Sequence, residues 1–98
     1  MSKTIFVCGG QKSQRELVVM ALAQRHGGVG KMRQCRYKLH CSCMDGCRIE
    51  TITFKSLRGY KADEIWVDML PSDEDERAEL FHCVCYKRER IHTFKEII

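Results

Sequence analysis

The stretch TIFVCGGQKSQRELVVM, Thr4 to Met20, constrains the fold more than any other part of the chain. Ile5 to Cys8 is a short, unbroken apolar run, the pattern of a strand buried on both faces. Gly9 and Gly10 end it, and a helical pattern follows almost at once. Ser13-Gln-Arg-Glu16 has the spacing of a capping box, in which the serine oxygen accepts from first-turn amides and the glutamate reaches back. Leu17, Val18, Met20, Ala21 and Leu22 give that helix a wide apolar face, and Gly27, Gly28 and Gly30 stop it. The chain therefore begins as a β-α unit.

Lys31 to Ser56 has the alternation of a β-hairpin, with Met-Asp-Gly between its arms. A two-residue Asp45-Gly46 turn would pair Leu39 with Ile52 and Tyr37 with Phe54. A three-residue Met44-Asp45-Gly46 loop would pair Cys43 with Cys47 and set Ile49 beside Cys41. The second is favoured, because Tyr37, Leu39, Cys41, Cys43, Cys47 and Ile49 then share one face. Glu64 to Met69 follows as a strand. Pro71-Ser72 opens a second helix with acids at residues 73–76 and YKRER, Tyr86 to Arg90, in its last turn, an arrangement that suits the helix dipole. Leu80, Phe81, Val84, Cys85 and Ile91 are its expected buried stripe, and HTFKEII a final edge strand. The expected order is β-α-β-β-β-α-β in one compact α/β domain. Thr4–Cys8 and Glu64–Met69 should be parallel and central, with the hairpin antiparallel beside them. A ferredoxin-like α+β fold is the alternative.

The chain has 98 residues, enough for one domain, and 44% hydrophobic with 31% charged residues is ordinary for a globule. It has no apolar run of about 18 residues, so no membrane span is expected. MSKTIFVCGG carries too short an apolar stretch for a secretory signal, and seven cysteines without one imply reduced thiols in a cytoplasmic setting. The net charge of +4 permits a nucleic-acid or acidic-protein partner.

Gly9, Gly10, Gln11, Lys12 and Ser13 are the candidate phosphate site. A glycine turn entering a helix points amides outward at the positive end of the helix dipole, and a lysine adds charge. The competing reading is a turn, a solvated lysine and a cap. A full Walker A motif has glycine where Gln11 stands and another where Phe6 stands. Together with ITFKSLRGYKADEIWVDM, Ile52 to Met69, the stretch resembles the ATPase core of phage DNA-packaging enzymes, the terminase large subunits. The resemblance implies that Lys12 and Ser13 are the Walker A pair, Arg58-Gly59 the turn before the second strand, and Asp68 the magnesium ligand of a Mg-nucleotide. It also implies phage origin. Met69 stands where the catalytic glutamate would be, so the implied core is reduced and does not hydrolyse ATP. The same strand-Cys-loop-Arg arrangement is similar to low-molecular-weight tyrosine phosphatases. Cys8 and Arg15 are separated by six residues, one more than that signature holds, which turns the arginine about 100° around the helix.

HCSCMDGC and HCVC raise a zinc alternative, with Cys41, Cys43 and Cys47 joined by Cys83, against the plainer expectation of buried core thiols. Lys31, Arg33, Arg36, Lys38, Arg48 and Arg58 are candidates for contact with nucleic acid or an acidic protein, against the plainer expectation of a solvated strand face. Tyr37, Tyr60 and Tyr86 are too few for a base-stacking platform. The expected function is a small non-catalytic accessory protein that binds phosphate on a nucleotide or nucleic acid. The alternatives are a protein-interaction module, such as an inhibitor of a host defence protein, and a zinc-stabilised binding domain. No catalytic set is complete.

Overall fold

Strand β1 (Thr4–Cys8) lies inside a mixed six-stranded sheet of order β2-β3-β4-β1-β5-β6. The computed structural model describes residues 3–36 and 38–97, so the expectations for Tyr37 lie outside the described residues. The other strands are β2 (Val29–Cys35), β3 (Lys38–Cys43), β4 (Arg48–Ile52), β5 (Glu64–Val67) and β6 (Ile91–Thr93). Helix α1 (Lys12–Arg25) follows β1, and α2 (Glu74–Cys83) follows β5. β1 is parallel to both neighbours: Cys8 pairs with Ile52 of β4 and with Val67 of β5. β6 is parallel to β5, while β3 is antiparallel to β2 and β4.

Alternate residues of β1 serve opposite layers. Ile5 and Val7 face Val18, Val19, Leu22 and Ala23 of α1, together with Trp66 and Ile49. Phe6 and Cys8 face the other way, with Ile65, Val67, Leu80, Cys83 and Val84. The two helices thus cover opposite faces, which makes this an α/β layer fold and excludes the ferredoxin-like alternative. Each fully buried Val, Leu or Ile contributes about 1.5–3 kcal/mol, and both faces of β1 carry such residues.

The stretch expected to be one hairpin makes three strands. The chain turns at Arg36, whose φ is +49, so β2 and β3 form a hairpin before β3 and β4 form the next. The favoured register of the second hairpin is the observed one. Cys41 pairs with Ile49, and the Cys43 amide donates to the Cys47 carbonyl at 2.8 Å across a loop with Gly46 at φ +92. Of these three strands the one that touches β1 is β4, and it runs parallel rather than antiparallel to it.

Both helix starts and one helix end differ from expectation. Gln11 caps α1, and its amide donates to Gln14 Oε1 at 3.0 Å, so Ser13 already lies inside the first turn. Leu17 and Met20 are exposed, because the buried face of α1 is Val18, Val19, Leu22 and Ala23. Helix α2 is capped by Asp73, whose Oδ1 accepts from the amides of Asp75 and Glu76 at 2.7 and 3.3 Å. It ends a turn early, because Cys85 and Tyr86 adopt φ +56 and +62 and the Tyr86 amide returns to the Phe81 carbonyl at 2.7 Å. YKRER therefore lies beyond the helix, Cys85 is exposed, and Ile91 belongs to β6.

Candidate functional site

Ligands of open parallel sheets sit beyond the carboxyl ends of the strands, where successive connections leave for opposite faces. Here that point lies between β1 and β5, because β1 leads to α1 on one face and β5 leads to α2 on the other. Gly9 and Gly10 follow β1, and Asp68 follows β5. The two glycines have φ +89 and +65, and the Asp68 side chain packs directly against both. A β-carbon on Gly9 would collide with Asp68 Oδ1, and one on Gly10 would lie 3.1 Å from the Phe94 ring and 3.3 Å from Asp68 Cβ.

The turn is short. Only Gly9, Gly10 and Gln11 separate β1 from α1, and Phe6 remains inside the strand. The wide amide cradle of a Walker loop has no room to form in this length. The glycine carbonyls turn instead toward Arg15, whose Nη1 donates to Gly10 O at 2.6 Å and to Gly9 O at 3.2 Å. A guanidinium has five N–H donors, so Arg15 keeps donors for another partner.

Arg15 also lines a cleft of about 720 Å³, together with Gly9, Cys35, Arg36, Lys38 and residues 51–54. Thr51 supports its wall, since its hydroxyl accepts the Leu39 amide at 2.8 Å. Three cations converge on this cleft, and among the described residues no carboxylate lines it. Of the expected phosphate residues, Gly9 lines it. Gln11, Lys12 and Ser13 are exposed at the start of α1, and Gly10 is held by Arg15.

The expected basic patch divides in two. Arg36 and Lys38 belong to the cleft. Lys31, Arg33 and Arg48 surround a smaller groove of about 320 Å³ with His40, Ser42 and Glu50. The strand register joins the two sites. Cys35 pairs with Lys38, Arg33 with His40, and Lys31 with Ser42, which pairs in turn with Arg48. Side chains alternate along a strand, so all these residues lie on one face of the sheet, opposite α1. Glu50 is engaged by His40 at 3.1 Å. Among the described residues, none of the six cations Arg15, Lys31, Arg33, Arg36, Lys38 and Arg48 forms an ion pair. Arg58 is exposed in the loop before β5 and lines neither site.

The sequence reading left Arg15 out of the candidate site. A usable signal was present: α1 opens with Lys12 and Arg15 and has no acid in its first turn, whereas α2 opens with Glu74, Asp75 and Glu76. Cations at a helix N-terminus oppose the dipole by about 0.3–1 kcal/mol each. Such an arrangement is eased by an anion nearby.

Cys8 stands where the phosphatase resemblance puts a nucleophile. Burial, and then the charge of Asp68, push its thiol up to about 12, against a smaller opposing effect of Arg15. Such a thiol is protonated at neutral pH. The four-cysteine zinc set does not assemble. Cys41, Cys43 and Cys47 pack together on the α1 face, while Cys83 is buried on the opposite face of the sheet.

No helix among the described residues is long and apolar enough to cross a membrane. In comparisons with known proteins, no family model, no curated protein and no solved structure matches the chain.

Proposed function

We propose that this protein binds the phosphodiester backbone of single-stranded nucleic acid and has no catalytic role. The observation that carries the reading is the path of unpaired cations from Lys31 and Arg48, past Arg33, to Lys38, Arg36 and Arg15 at the cleft. Same-side rows along a strand are about 6.6 Å apart, a spacing that successive phosphates of an extended strand can follow. The cleft ends the path. Its three cations hold a phosphate, and the apolar surface of Ile52 and Phe54 offers a place for one base. Recognition of this kind reads charge and shape, so it tolerates many sequences.

Binding of labelled mixed-sequence oligonucleotides, followed by anisotropy, tests the reading. Single strands should bind without magnesium, and Arg36→Gln/Lys38→Gln should weaken binding by about tenfold or more. Equal affinity in that variant would overturn it.

A second reading rests on Asp68 beside the Gly9–Gly10 turn. In it, Asp68 holds the cation of a Mg-nucleotide whose phosphates lie near Lys12, as the terminase resemblance implies. A ligand with a dissociation constant of about 100 µM would raise stability by about 1.4 kcal/mol at about 1 mM. That shift should require magnesium and vanish in Asp68→Asn. The oligonucleotide reading requires neither outcome.

A further inference from the structure

Away from the cleft, His26, Asp45 and Cys47 bring three metal-ligating atoms within 4.8 Å of one another. His26 is the residue at the C-terminal end of α1, and the other two belong to the loop between β3 and β4. The backbone holds these segments together. The Met44 amide donates to the Gly28 carbonyl at 2.9 Å, and the Asp45 amide to the His26 carbonyl at 3.2 Å. The donors are also oriented. Asp45 Oδ2 meets His26 Nδ1 at 2.7 Å, while Asp45 Oδ1 accepts the Cys47 amide at 2.8 Å. Cys43 lies across the loop from Cys47, its amide donating to the Cys47 carbonyl at 2.8 Å.

We propose that His26, Asp45 and Cys47 hold a zinc-type divalent cation whose fourth tetrahedral position is open to water, clamping the end of α1 to the β3–β4 loop. Imidazole, thiolate and carboxylate together suit zinc. Zinc–ligand bonds of about 2.0–2.3 Å set donors roughly 3.3–3.8 Å apart, so the three atoms, all within 4.8 Å of one another, need only small shifts, with the His26–Asp45 pair opening from 2.7 Å. The site is new in composition: of the four expected cysteines only Cys47 takes part, and Cys83 lies on the other face of the sheet. Cys47 is buried and His26 is half-buried, so the cation would be anchored from inside and reached from the rim of the fold.

Titration of the protein, purified without a histidine tag, with Co²⁺ tests the site. The expected result is one cobalt per chain, with the strong visible bands of tetrahedral cobalt and a near-ultraviolet thiolate charge-transfer band, both lost on adding Zn²⁺. His26→Gln and Asp45→Asn, at partly exposed positions, should each weaken uptake by at least about tenfold. Cys47→Ser should remove most of the charge-transfer band, and Cys83→Ser should leave it unchanged. Weak bands of octahedral cobalt, unchanged affinity in His26→Gln, or air oxidation of Cys43 with Cys47 in place of metal uptake would each overturn the proposal.

Discussion

Asp68 packs against Gly9 so closely that a β-carbon at position 9 would overlap its Oδ1 and lie 3.0 Å from its Cγ. The contact joins the ends of β1 and β5, where the connections to the two helix layers part. It leaves room for no side chain at residue 9, and the positive φ there disfavours any L-residue as well.

Gly9→Ala should therefore be more damaging than Gly46→Ala. Both positions have φ near +90, at +89 and +92, but a β-carbon at Gly46 meets nothing within 4 Å. Gly46→Ala should cost about 1–2 kcal/mol, the backbone component alone. Gly9→Ala should exceed it by about 1 kcal/mol or more, and Asp68→Ala in the same chain should recover that excess but not the backbone component. Urea unfolding of the four proteins checks this, and equal losses at the two glycines would refute the close contact.

The helix caps give a second contrast. Asp73→Ala should destabilise by about 1 kcal/mol, because two first-turn amides lose their acceptor. Ser13→Ala should change stability by less than about 0.5 kcal/mol, since Gln11 is the cap of α1. Thermal or urea melts of the two variants measure the contrast, and equal losses would contradict it.

These caps mark how far the sequence could be followed. The apolar run Ile5–Cys8 and the Cys-Met-Asp-Gly-Cys loop were legible, because a doubly buried strand and a glycine-closed hairpin leave local patterns. Arg36 and the Cys85–Tyr86 pair were not. Each turns the chain through a left-handed conformation without the glycine or asparagine that normally signals one. The missed turn at Arg36 hid a strand, and the hidden strand reversed the direction in which β4 meets β1. The cleft was legible only in pieces. Gly9, Arg36 and Lys38 were candidates separately, but strand pairing across long separations brings them to Arg15, and no local pattern records that. The placement of Cys83 across the sheet from Cys43 and Cys47 was hidden for the same reason.

The buried thiols should make the protein sensitive to base. Burial pushes Cys8 up to about 12 and Cys41 and Cys83 up to about 11, from an ordinary value of 9.0. Above pH 9 the unfolded chain releases these protons while the folded chain keeps them. Stability is then full below pH 9 and falls as pH rises toward 11–12, by about 1.4 kcal/mol per pH unit for each such thiol. Urea melts between pH 8 and 10.5 should show the decline beginning about pH 9, and Cys8→Ala should make it shallower. A flat profile would contradict the burial. In the native protein a thiol reagent should reach Cys35 and Cys85 rapidly and the other five cysteines slowly.

The most direct test of backbone binding is the salt dependence of oligonucleotide affinity. If the six cations from Lys31 to Arg15 each neutralise one phosphate of a single strand, log K should fall against log salt with a slope of about −4. Lys31→Gln/Arg33→Gln should reduce the slope by about 1.4, and by the same amount on unrelated sequences. A slope near zero, or one unchanged in that variant, would contradict the account.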